Sequence, residues 1–241
     1  MLPFPANEGA FMAGIRNLAE LLAWSVVAYL LASNSGPIIV FGLSAVYGDP
    51  AAAPASVLQN LIYVSPVFPL VLGLLAVARL KIGNVNICAS IGFSGKTLPR
   101  DMLVGAIAGI VSVGIAVTSL RIAAHYVDVP PMHLLPPPVH LYFMTIGALV
   151  PGVCEELFFR GMLMKVGSRL PRVAIIVLTA IAFSVWHIGT PAYLPHTFLL
   201  GLIFGILANA SGRLAPSMVA HTIANAGMGL LLLSGFNIVG Q

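Results

Sequence analysis

Apolar runs long enough to cross a bilayer recur along the chain, separated by short polar or proline-rich stretches. A membrane helix needs about 20 predominantly apolar residues. The runs at 18–46, 57–78, 102–124, 140–166, 173–188, 196–210 and 216–236 give seven candidate crossings. Ser33-Asn34-Ser35-Gly36-Pro37 interrupts the first run. One crossing with an irregular outer end is the favoured reading there, and a second short helix, making eight, is the alternative. Pro66 and Pro69 predict a kink in the second run. Gly105 and Gly109 in the third have the small-xxx-small spacing that lets helices approach closely. Pro130-Pro131 and Pro136-Pro137-Pro138 make 126–138 an extended, partly polyproline connection. The ten-residue alternation of a membrane barrel is absent. The expected fold class is an all-α polytopic membrane protein of about seven, or eight, transmembrane helices.

Composition supports the pattern. Of 241 residues, 59% are hydrophobic and 7% charged, against about 25% charged in soluble domains. Mean hydropathy is +1.02. The net charge of +4 comes without a basic block interleaved with aromatics, so nucleic acid is not an expected partner. With the N-terminus cytoplasmic, the inner segments hold Arg16, Arg79, Lys81, Lys96, Arg100, Lys165, Arg169, Arg172 and Arg213, nine of the eleven basic residues. Outside lie Arg121, Asp49 and Asp128, and Arg160 falls within a span. Cytoplasmic loops collect Lys and Arg, so the bias supports this count and orientation. Glu8 precedes any apolar run, which is not the pattern of a cleavable signal peptide. Cys88 and Cys154 lie far apart, and no disulfide framework is expected.

Against this background, Pro151-Gly152-Val153-Cys154-Glu155-Glu156-Leu157-Phe158-Phe159-Arg160 stands out. A charged residue at the centre of a membrane helix costs roughly 2.5–3.5 kcal/mol on insertion scales, and three occur here within six positions. Glu156 and Arg160 are spaced i,i+4 with the acid first, the favourable order for a helical ion pair. Glu155 points about 100° away and has no cation on its own helix. It is the candidate general base toward water. Pro151 removes a hydrogen bond to Gly147 and predicts a bend one turn before Glu155.

Two further polar sets lie in apolar runs: Phe183-Ser184-Val185-Trp186-His187, and His221-Thr222-Ile223-Ala224-Asn225. At about 1.5 Å per residue, Glu155 lies roughly 15–20 Å from the basic end at Lys165–Arg169. On the same rise, His187 lies roughly 20 Å from Arg172, and His221 and Asn225 roughly 12 and 18 Å from Arg213. Three helices thus place Glu, His, His and Asn at a similar depth. One such residue reads as packing, but four at matching depth read as a site.

Glu155-Glu156-x-x-x-Arg160, Phe183-x-x-x-His187 and His221-x-x-x-Asn225, in this order on successive apolar helices, resemble the motifs of the CPBP family. That family comprises CAAX-protease and bacteriocin-processing membrane proteins, the Rce1-type prenyl-protein endopeptidases among them. Phe198-x-x-Gly201-x-x-x-Gly205 is similar to its glycine-bearing third motif. The resemblance covers about 141–232 and divides the chain into N-terminal helices and loops over 1–138 and a catalytic core over 139–241. It implies an intramembrane endopeptidase with its active site in the C-terminal four-helix core. It makes Glu155 the water-activating base beside His187, His221 and Asn225 the stabilisers of the tetrahedral oxyanion, and Glu156 and Arg160 the structural support. The implied substrates are membrane-associated or prenylated CAAX-type proteins or peptides. A prokaryotic plasma membrane is the expected location.

A second arrangement uses Glu155, His187 and His221 as three zinc ligands with water in the fourth place. No HExxH is present, and Glu155 as a ligand would leave the base undefined. The favoured expectation is no cofactor, with a divalent metal such as zinc as the alternative. A non-catalytic scaffold or immunity-type binder of the same fold, and a proton relay or transporter, are the competing functions, the last disfavoured because no inverted repeat is evident. His125, His133 and His140 around the proline loop read as solvated surface residues, and His196 as a helix flank. Trp24, Trp186, Phe158 and Phe159 read as lipid- or core-facing anchors, with a channel-lining role for the last three as an alternative. Cys154 faces away from Glu155 and is not an expected nucleophile.

Overall fold

The computed structural model describes residues 8–47, 65–93, 96–129 and 137–237, and no strand occurs among them. The helices are α1 (Glu8–Tyr47), α2 (Val67–Ile82), α3 (Ile87–Ile91), α4 (Leu98–Ala123), α5 (Pro137–Met144), α6 (Ile146–Glu156), α7 (Arg172–Val185), α8 (Leu194–Ser211) and α9 (Ala215–Leu233). Between α6 and α7 the chain continues through a π-helical segment, Leu157–Leu163, and a closing turn, Met164–Val166.

Among the described residues, five stretches are long and apolar enough to cross a membrane: Met12–Asn34, Leu98–Ala123, Pro137–Val166, Pro191–Ser211 and Ala215–Leu233. The helices α2 and α7 are shorter, with 16 and 14 residues. The beginning of the second apolar run, 57–64, and the prolines at 130–136 lie outside the described residues, as does His133.

One local expectation is corrected. The chain does not break at 33–37, because α1 is helical throughout. Ser33 Oγ and Asn34 Nδ2 donate to Leu30 O at 3.4 and 2.6 Å, so both polar side chains fold back onto their own helix. In the fourth run the departures from α geometry are the turn at Thr145 and the π segment, while α6 runs through Pro151.

The bundle turns its apolar residues outward as well as inward. On α4, Leu103, Ile107 and Ile110 are exposed while Gly105, Gly109 and Ala116 are buried. A lipid-facing helix needs this arrangement, since association there comes from close packing of small residues. A Cβ at Gly105 would sit 2.6 Å from Pro216 O, and one at Gly109 would sit 2.7 Å from Ile223 Cβ, both on α9. Gly201 brings α8 against α7 in the same way, with Ala180 Cα 2.9 Å from a Cβ placed there.

Ion pairs tie the helices to one another. Arg79 Nη2 meets Glu20 Oε1 at 2.6 Å. Arg213, in the α8–α9 turn, holds Asp101 of α4 with two bonds of 2.7 and 2.9 Å. Gly212 adopts φ 67° at the end of α8, the left-handed cap that reverses the chain within a few residues.

Candidate active site

The last turn of α6 and the π segment carry the charges inward. Glu155 and Glu156 are both buried, as is Arg160. Glu156 Oε1 lies 2.8 Å from Arg160 Nη1, so the i,i+4 pair forms. The same oxygen accepts from His221 Nδ1 at 3.0 Å, and Arg160 Nη2 donates to Gly201 O at 2.9 Å. One carboxylate and one guanidinium therefore join α6, α8 and α9. The guanidinium carbon stands 4.8 Å from the centre of Phe183, 5.5 Å from Phe204 and 5.7 Å from Phe159. These ring faces compensate part of its lost hydration. Single-turn π insertions concentrate at functional sites; this one keeps Phe158, Phe159 and Arg160 all buried.

Glu155 has a different environment. Its closest cation-capable neighbour is His221 Nε2, 3.9 Å from Oε2, beyond hydrogen-bond distance. Because Nδ1 of His221 faces a carboxylate, which only accepts, Nδ1 carries a proton and Nε2 is turned to Glu155. His187 follows the C-terminus of α7, and its Nδ1 lies 2.9 Å from Phe183 O. A carbonyl accepts only, so Nδ1 donates and Nε2 is left with its lone pair. Phe183 packs edge-on against both histidines, at 5.2 and 5.5 Å, and Phe204 stacks on His221 at 5.0 Å.

Glu155, His187, His221 and Asn225 all line one cavity of about 330 Å³. α6 supplies the first, the turn after α7 the second, and α9 the other two. Pro151 lines it one turn before Glu155. The rest of the wall is largely apolar, with Leu120, Phe143, Leu200 and Leu232.

Both histidines present Nε2 once Nδ1 is engaged, an orientation that suits a metal ligand. Yet among the described residues no three His, Cys, Asp or Glu side chains stand close enough together to hold an ion.

Some residues stand elsewhere than the sequence reading put them. His196 flanks the start of α8 but is buried and lines the cavity with Tyr193 and Thr197. Its Nδ1 is buried without a hydrogen-bond partner among the described residues. The signal was available: His196, Leu200 and Phe204 recur at i,i+4 and so share a face, and all three are buried. His140 is buried in α5 rather than solvated, whereas His125 is exposed. Phe158 and Phe159 are core residues and do not line the cavity. Trp186 packs edge-on with Tyr29 and Phe159. Ser184 Oγ donates to Leu194 O at 2.8 Å, and Thr197 Oγ1 donates to Tyr193 O at 2.8 Å. These bonds fix the turn that carries His187 to the start of α8.

Residues 137–227, from the first residue of α5 to within α9, match the family model described as Type II CAAX prenyl endopeptidase Rce1-like. The match contains all of the candidate site residues. Comparison with curated proteins and with solved structures gives no match.

Proposed function

We propose that this chain, whose residues 137–227 carry an Rce1-like domain of the CAAX-type intramembrane protease family, is an intramembrane endopeptidase that hydrolyses a peptide bond with glutamate-activated water. The observation that carries this reading is the cavity on which Glu155, His187, His221 and Asn225 converge from three parts of the fold. The five long apolar helices fit an integral membrane protein. With α2 and α7 as shorter crossings the count is seven, and the charge bias favours a cytoplasmic N-terminus in a prokaryotic plasma membrane. The substrate is a membrane-associated or lipidated peptide or protein.

In this mechanism Glu155 takes a proton from water, and Nε2 of His187 accepts the second hydrogen bond that orients it. The water oxygen attacks the peptide carbonyl carbon and negative charge moves to the carbonyl oxygen. Asn225 donates its amide N–H to that oxygen, and His221 donates from Nε2 when the ring is doubly protonated. Such donors, held in place in a site of low polarity, are worth several kcal/mol each in the transition state. Glu155 then returns its proton to the leaving amine. No step passes through a metal ion.

Glu155→Gln keeps the size of the side chain and removes its basicity. The purified variant should lose cleavage of a reporter peptide while its melting temperature in detergent stays near that of the parent. Undiminished cleavage would defeat the assignment. The same variant, inactive but folded, is suited to capturing the natural substrate.

A further inference from the structure

The cavity and the cation-rich turns occupy opposite ends of the bundle. Lys165, Arg169 and Arg172 follow the π segment, Arg213 joins α8 to α9, Lys96 precedes α4 and Arg100 lies in its first turn. Moving from those turns toward Glu155 and His221, each helix passes through closed packing. Met162, Leu163, Met218 and Phe204 are at most 1% exposed. The Glu156–Arg160 pair, with side chains 0% exposed, lies in the same layer. Among the described residues, side chains packed this tightly close the cavity toward the cation-rich turns.

The other end differs. Val129 lies beyond the C-terminus of α4, Tyr193 just before α8, and Met228 in the last turns of α9. All three line the cavity, and all are half-buried. No Lys or Arg lines it. Of the eleven Lys and Arg residues in the chain, only Arg121 belongs to this end. Clustering of Lys and Arg marks the cytoplasmic side.

We propose that the cavity is entered from the extracytoplasmic face, and that its occupant is a peptide segment presented there. The segment's apolar side chains lie against Leu120, Phe143 and Leu232, and its reacting bond reaches Glu155. Exported peptides and extracytoplasmic juxtamembrane segments are the substrate class that meets this entrance; a prenylated cytoplasmic C-terminus would meet the closed side. Naming the occupant a substrate rests on the peptidase reading above, whereas the direction of entry does not.

The test is thiol accessibility in the full-length protein, in membrane vesicles of either orientation, with a membrane-impermeant maleimide and mass-spectrometric identification of the labelled position. Native Cys88 is exposed on α3, beside Arg213, whose side chain borders Gly92; it marks the cation-rich end. Tyr126→Cys marks the other surface, since Tyr126 is 82% exposed just after α4. Tyr193→Cys and Met228→Cys place a thiol at the cavity mouth. The thiols introduced at 126, 193 and 228 should react in right-side-out vesicles, and Cys88 only in inverted ones. Reaction of the 193 and 228 thiols only from the Cys88 side, or of neither in right-side-out vesicles, would overturn the proposal. Full cleavage by Glu155→Gln would end the peptidase reading and leave this labelling pattern unchanged, so the two failures are separable.

Discussion

Glu155 and Glu156 are chain neighbours with opposite surroundings. Glu156 is locked by Arg160 on its own helix and by His221 across the interface with α9. Removing one partner of a buried pair strands the other charge and costs about 3–5 kcal/mol. Glu156→Gln is therefore expected to lower the melting temperature in detergent by several degrees. Activity should fall with it, because His221 loses the carboxylate that orients its ring. His187→Ala removes a group that bonds to Phe183 O of the helix preceding it. That variant should lose activity with little change in melting temperature, and equal destabilisation by both substitutions would contradict the division of roles. Removal of metal belongs to this scale too. On the proposed mechanism, which routes no step through a metal, cleavage should survive exhaustive chelation and purified protein should carry less than one equivalent of zinc by elemental analysis.

The element that matters most to the site is the contact between α6 and α9, which brings Glu156 to His221. Gly152 makes it, one turn before Glu156. A Cβ there would collide with Thr222 Oγ1 and lie 2.9 Å from the Thr222 backbone nitrogen. Backbone cannot give way as a side-chain tip can. Gly152→Ala should cost about 1–3 kcal/mol and depress cleavage by moving Glu155 away from His221. Gly114→Ala is the control, since nothing lies within 4 Å of a Cβ at that position; it should leave melting and cleavage unchanged.

Much of this scale was legible in the sequence. The helix positions follow from apolar runs, the Glu156–Arg160 pair from i,i+4 spacing, and the meeting of Glu155, His187, His221 and Asn225 from matched depth. Three features were not legible. The π segment has no pattern of its own in Leu157–Leu163, because it answers to the burial of Phe158, Phe159 and Arg160 together. The continuity of α1 past Ser33 depends on polar side chains bonding back to Leu30, which composition alone does not reveal. His140 reads as a surface residue because its helix begins beside a proline-rich stretch, and it is packing by other helices that buries it.

At the scale of the whole molecule, orientation and crossing number are one question. The charge bias fixes the side of each turn only if the number of crossings between turns is right, and α2 and α7 are shorter than the roughly 20 residues a span usually needs. Ion pairs supply an independent constraint. Glu20–Arg79 joins α1 to the end of α2, and Asp101–Arg213 joins the start of α4 to the α8–α9 turn. In the proposed seven-crossing arrangement α2 returns toward the side where α1 begins, and α3, which follows it, meets the α8–α9 turn, Ser90 O accepting from Leu214 N. That arrangement also requires α8 to run toward Arg213 and α9 to run away from it. Seven crossings with a cytoplasmic N-terminus are consistent with both ion pairs. Fusions of a reporter enzyme active only outside the cytoplasm should then be silent after Ser168, active after Gly189, silent after Gly212 and active after Phe236. An additional crossing before α2 would reverse all four readings together, whereas failure of α7 to cross would leave the first two alike. The four fusions therefore distinguish an error in the amino-terminal half from one inside the Rce1-like domain.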